Sequence, residues 1–92
     1  MIRIDYGPRF LRALRQIKPN ITEEAEKRLL QISQGFGNPH AHGGLGLRKL
    51  ESRAYEARIG LHYRMILIHQ KDCLFAYDVM THEEVRHWLK SK

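Results

Sequence analysis

The run Ala54-Tyr55-Glu56-Ala57-Arg58-Ile59-Gly60-Leu61-His62-Tyr63-Arg64-Met65-Ile66 decides how this chain folds. Tyr55, Ala57 and Ile59 alternate with Glu56 and Arg58. Tyr63, Met65 and Leu67 alternate with His62, Arg64, Ile66 and Ile68. Side chains along a strand point to opposite faces in turn, so Ala54–Ile59 and Tyr63–His69 read as strands. Gly60-Leu61-His62 leaves room only for a tight turn, which makes them antiparallel neighbours. Leu74–Met80, reached through Gln70-Lys71-Asp72, reads as a third strand of the same meander.

The arginines inside these strands carry the chemistry. A guanidinium placed mid-strand is costly to bury and has to face a partner. If Arg58 and Arg64 fall on one side, they are cross-strand neighbours within reach of a single phosphate. Glu56 shares the face of Arg58 and offers another outcome, an ion pair to either arginine. Spacing alone weighs the two equally.

Toward the N-terminus, Ile2, Ile4 and Tyr6 alternate with Arg3 and Asp5 as a short first strand. Gly7-Pro8 breaks it, with Pro8 suited to the first turn of a helix. Phe10, Leu11, Leu14 and Ile17 recur at helical spacing, with Arg9, Arg12, Arg15 and Lys18 opposite. Pro19-Asn20 ends that helix. A second one is expected from Thr22, its N-cap, to Gly35, with Ala25, Leu29, Leu30 and Ile32 as its stripe. The short connection predicts a helical hairpin. Phe36 to Gly46, rich in glycine, reads as a mobile, exposed loop. At the C-terminus Thr81 caps a short helix, with Glu83 and Glu84 in its first turn. The expected fold is α+β, a small antiparallel sheet packed against an N-terminal helical hairpin in the order β-α-α-β-β-β-α. The hairpin covers one face and leaves the other, or one end of it, free.

Ninety-two residues form a single domain, 1–92. The net charge of +6, from 16 Lys+Arg against 10 Asp+Glu, favours encounter with polyanions without naming one. The single cysteine, Cys73, excludes an intramolecular disulfide and reads as a small buried side chain. No signal-peptide core or transmembrane run stands out, so the cytoplasm is the expected location. Phosphate-binding loop, dinucleotide fingerprint, HExxH and zinc-finger patterns are all missing, and no cofactor is expected. His40-Ala41-His42 is too small a set to close a metal site and reads as loop surface. His82 stands where the third strand returns toward the sheet, and an imidazole beside arginines suits acid–base work on a phosphodiester. Arg48 and Lys49 read either as a solvated turn or as an extension of the basic face, His87 and Lys90 add charge at the end, and Trp88 reads as an apolar lock.

Taken together, Leu47-Arg48-Lys49-Leu50, Tyr55-Glu56-Ala57-Arg58-Ile59, Tyr63-Arg64-Met65-Ile66 and Asp78-Val79-Met80-Thr81-His82-Glu83-Glu84-Val85 resemble the RelE/ParE toxin superfamily. The resemblance spans nearly the whole chain. It implies a RelE-like fold and a toxin of a type II toxin–antitoxin module. The activity implied is ribosome-dependent, metal-independent mRNA cleavage that inhibits translation. The alternative implied is a ParE-type toxin that inhibits DNA gyrase by binding it. Carried over by position, Arg64, Arg58, His82 and Glu56 are the expected catalytic residues. Lys49, Arg48, His87 and Lys90 are the expected RNA or phosphate contacts. The expected partners are a cognate antitoxin, with the ribosome and mRNA or else gyrase, and no membrane. The expected state is a monomer or a toxin–antitoxin hetero-oligomer. The chain departs from the pattern at Arg86, where many RNA-cleaving relatives carry tyrosine, so His82 or His87 would have to stand in.

Overall fold

The computed structural model of the chain describes residues 1–92, the side chain of Pro39 excepted. Its elements run β1 (Arg3–Tyr6), α1 (Pro8–Gln16), α2 (Pro19–Gly35), α3 (Pro39–His42), β2 (Leu47–Glu51), β3 (Ala54–Ile59), β4 (Tyr63–His69), β5 (Cys73–Thr81) and α4 (His82–Lys90). Five strands make one sheet in the order β1-β5-β4-β3-β2. β2 to β5 form an antiparallel meander, and β1 joins its edge parallel to β5.

The expected wholly antiparallel, RelE-like sheet is thus corrected to a mixed one, with one strand and one short helix more than the expected order. Tight turns fix direction only between consecutive strands. β1 meets β5 across the whole length of the domain, so no local signal sets their parallel pairing. β2 escaped notice because its two leucines serve different layers. Leu47 joins the core under α1 and α2, while Leu50 packs with the cluster under α4. A strand with one apolar residue per face shows no alternation to read.

The face under α1 and α2 is built from Phe10, Leu29 and Ile32 against Ala57, Ile59, Met65, Leu67 and Leu74. α1 lies over β5 and α2 over β3. α2 starts at Pro19 rather than at Thr22, because proline is tolerated where the first N–H has no helical partner. Thr22 lies inside the helix, and its hydroxyl donates to the Leu14 carbonyl at 3.1 Å. Leu11 and Leu30, expected in the stripes, are 41% and 60% exposed. The β1–α1 corner requires glycine: a Cβ on Gly7 would stand 2.5 Å from Phe75 Cζ. Gly60, at φ +60°, opens the β3–β4 turn, and its N–H donates to Glu24 Oε2 at 2.9 Å.

The opposite face is not left bare. α4 lies across it on Ile66, Met80 and Val85, with Leu50, Ile68, Tyr77, Trp88 and Leu89 around them. Its start is held by a capping box: Glu84 N–H donates to Thr81 Oγ1, and Thr81 N–H donates to Glu84 Oε1 at 2.8 Å. Its end is held by Trp88, which stacks on Tyr77 at 5.7 Å under the Lys92 ammonium at 3.9 Å. The expected loop from Phe36 to Gly46 contains α3, where Asn38 Oδ1 accepts the His40 N–H at 3.3 Å. No helix is long and apolar enough to cross a membrane.

Candidate functional site

Strand register brings the central arginines together. Arg58 stands directly across from Arg64, and Glu56 across from Ile66 on the same face. Glu56 and Arg64 are both 7% exposed. Arg64 Nε lies 3.5 Å from Glu56 Oε2, and Arg48 Nε approaches the same oxygen at 3.6 Å. The Arg64 Nη1 also donates to the Tyr63 carbonyl at 3.2 Å. Glu56 Oε1 is buried and unpartnered among the described residues. Of the two outcomes that spacing left open, the ion pair is the one formed. Removing one member of such a pair would strand a buried charge, so this is a structural hub. The Arg48 arm, whose side chain is 69% exposed, adds little stability.

Arg58 differs from its neighbour. It is exposed and takes part in no salt bridge among the described residues. With Arg48 and Glu56 it lines a hollow of about 460 Å³, to which α2 contributes Glu24 and Arg28. The hollow forms because β2 pairs with β3 only as far as Ala57, which leaves Arg58 and Ile59 with a strand on the β4 side alone. Arg28 is anchored there by donating Nη1 to the Leu45 carbonyl at 2.8 Å. Nothing in the sequence singled out Arg28.

The other expected site residues are dispersed. Lys49 pairs with Tyr55, so it sits on the α1–α2 side of the sheet, away from Glu56 and Arg58. His82 is exposed at the first position of α4. His87 and Lys90 lie further along α4 and share a hollow of about 140 Å³ with Glu83 and Arg86. His42, expected as loop surface, is half-buried. Its ring stacks on Phe36 at 5.2 Å, and its Nε2 accepts the Gly37 N–H at 3.1 Å. Among the described residues no group of three metal-ligating side chains converges.

A larger concavity lies elsewhere. β1 reaches only as far as Tyr6, opposite Ala76, whereas β5 continues to Thr81. The last rung is the Gly7 N–H on the Ala76 carbonyl, 2.9 Å. Beyond it β5 has a strand on one side only. A groove of about 650 Å³ runs along this free half, between Arg9 and Arg12 of α1 and His87 and Trp88 of α4. Two carboxylates guard it. Asp78 Oδ1 accepts the Val79 N–H at 2.8 Å, and its Oδ2 lies 3.3 Å from Arg9 Nε. Glu84 holds the Thr81 N–H through the capping box. Covering exposed edge donors in this way blocks indiscriminate strand pairing. The sequence held no sign of this edge, because it exists only where two strands of unequal length meet.

No protein-family model matches the chain, and no curated protein matches it. Solved structures do share its fold. A chain of the toxin–antitoxin complex RelBE2 from Mycobacterium tuberculosis matches with a TM-score of 0.55 and 15% identity, over 87% of this chain and 96% of that one. A chain of the RelB–RelE antitoxin–toxin complex from Methanococcus jannaschii matches with a TM-score of 0.59 and 17% identity, over 91% and 96%. These likenesses correct the toxin identity that the sequence motifs implied. They are to chains of assemblies in which antitoxin and toxin stand together, and at this identity they carry a fold and no activity. They show a shared fold and assign no role, so neither the endoribonuclease nor the gyrase-inhibitor reading is carried forward.

Proposed function

We propose that this chain is one member of a two-protein toxin–antitoxin pair and that it works by binding its counterpart. The shared fold supports membership. The observation that carries the binding role is the unpaired half of β5 over Tyr77–Thr81, floored by a groove between two helices. An extended segment gains backbone hydrogen bonds by lying along such an edge. Arg9 and Arg12 on one wall, on a chain of net charge +6, call for an acidic segment. Arg58 and Arg48, both exposed and both lining the hollow beside Glu56, supply a second proposed contact for carboxylates of the same partner. A lone buried thiol suits a reducing compartment, and the cytoplasm is the proposed location.

The test is co-expression with the protein encoded by the adjacent reading frame, followed by co-purification and calorimetric titration. A stable complex is expected. Replacing Arg9 and Arg12 together by Glu should weaken it about tenfold or more, and added salt should weaken it further. If the two proteins elute separately, the pair reading is lost. If they bind but the reversed charges change nothing, the partner sits elsewhere than the β5 groove.

A further inference from the structure

The segment between α2 and β2 is closed by a group that acid can change. The Gly37 N–H donates to His42 Nε2 at 3.1 Å. The His42 ring is half-buried, stacked on Phe36 at 5.2 Å and edge-on to Tyr55 at 6.2 Å. This bond ties the two ends of residues 37–42 together around α3, a helix of only four residues. The rest of the segment rides on it. The Leu45 N–H donates to the Ala41 and His42 carbonyls at 3.1 and 3.2 Å. Leu45 also seats the segment on the end of α2, where a Cβ on Gly35 would meet Leu45 Cδ1 at 3.0 Å. Gly43 and Gly46, further along, form part of the wall of the hollow that Arg48 and Arg58 line.

An imidazole accepts an N–H only through a nitrogen that carries no proton. His42 is therefore neutral in this arrangement, with its own proton on Nδ1. A proton taken up at Nε2 turns the acceptor into a donor facing another donor. Nothing nearby offsets the new charge. The titratable and charged groups around the ring are His40 of α3, Arg28 of α2 on the Leu45 carbonyl, Tyr55 of β3, Lys49 paired with it on β2, and His69 of β4 against Phe36. None of these is a carboxylate, and none forms an ion pair with His42 among the described residues. The two carboxylates of the adjoining hollow are engaged elsewhere, Glu24 on the Gly60 N–H and Glu56 with Arg64 and Arg48.

We propose that His42 is an acid-released latch: charging its ring frees residues 37–46 from the end of α2 and takes away one wall of the arginine hollow. The closed form holds while the ring is neutral. It is lost as pH falls through the range in which imidazoles charge, because the open form takes up the proton and the closed form resists it. The latch stands apart from the β5 groove and operates whether or not a partner lies there.

Amide hydrogen exchange of the whole chain tests this, read residue by residue by NMR at about pH 7.5 and about pH 5 and corrected for the intrinsic rate. Protection of the Gly37 and Leu45 amides should fall about tenfold in acid, while that of the buried Leu67 stays unchanged. His42→Gln keeps an acceptor at the same reach but cannot charge, so it should stay protected at both values. His42→Phe keeps the stack without the acceptor and should be unprotected at both. The response should survive His40→Gln and His69→Gln. The Arg58 Nε–H signal should shift over the same pH range, and should not do so in His42→Gln. Equal protection of the native chain at both values, a His42→Gln variant that opens in acid, a response carried by His40 or His69 instead, an Arg58 signal that ignores pH, or loss of protection at Leu67 in step with Gly37 would each overturn the inference.

Discussion

The two faces of the sheet are built on different rules. Under α1 and α2 the buried cluster is apolar, from Phe10 to Leu74, with polar contacts such as Glu24 on the Gly60 N–H at its edge. Under α4 an apolar patch around Ile66 adjoins a charged hub, in which Glu56 is held by Arg64 and Arg48. A continuous core is cut from the most burial a small domain can reach. The second face gives up part of that burial to hold charges at a fixed place, and its cover is a helix of only nine residues. Stability should therefore reside mainly on the first face.

That contrast can be broken by substitution, read as urea-unfolding midpoints. Phe10→Ala, on the apolar face, should cost the most, about 4 kcal/mol, because it opens a cavity in a fully buried site. Arg64→Met should cost somewhat less, about 3 kcal/mol, since it leaves Glu56 buried with only the exposed Arg48. The double variant Arg64→Met/Glu56→Leu should recover most of that loss, because an apolar pair needs no charge compensation. A double variant no better than the single one would mean that the hub holds the second face by more than its charge. Thr81→Ala, which opens the capping box of α4, should cost about 1 kcal/mol.

The smallest effect lies at the sheet edge, outside both faces. The Arg3 guanidinium, bonded to Asp5 at 3.0 Å, holds the Asp5 carboxyl below its ordinary value of 3.8. A carboxylate with a depressed value stabilises the fold above its ordinary value and loses that contribution as pH falls through the folded one. Asp5→Asn should therefore lower stability slightly above about pH 4 and make no difference in strong acid, which flattens the acid limb. The pair is exposed, so a large change there would mean that β1 is held by this contact and not by its pairing with β5.

The elements legible in sequence were those with local causes. The β3–β4 hairpin followed from alternation and a three-residue turn, and the start of α4 from Thr81 with Glu83 and Glu84 in its first turn. The register of Arg58 against Arg64 was left conditional in the sequence and is fixed by the strand pairing. The site was less legible. Glu56 was found, but its ion pair with an arginine was only one of two open outcomes, and the approach of Arg48 was not foreseen. Lys49 was placed with Arg58 because it is near in sequence, and alternation put it on the other face. His42 read as surface because stacking on Phe36 depends on where the end of α2 comes to rest.

By itself the sequence determined the periodicities, the turns and the excess of positive charge. These rest on neighbours a few residues apart, where backbone geometry leaves little choice. Tertiary structure alone decided which direction β1 takes beside β5, what covers the second face, and which arginine is buried and which is free. Those outcomes depend on strand lengths and burial summed over the whole chain, and no short window of residues contains them.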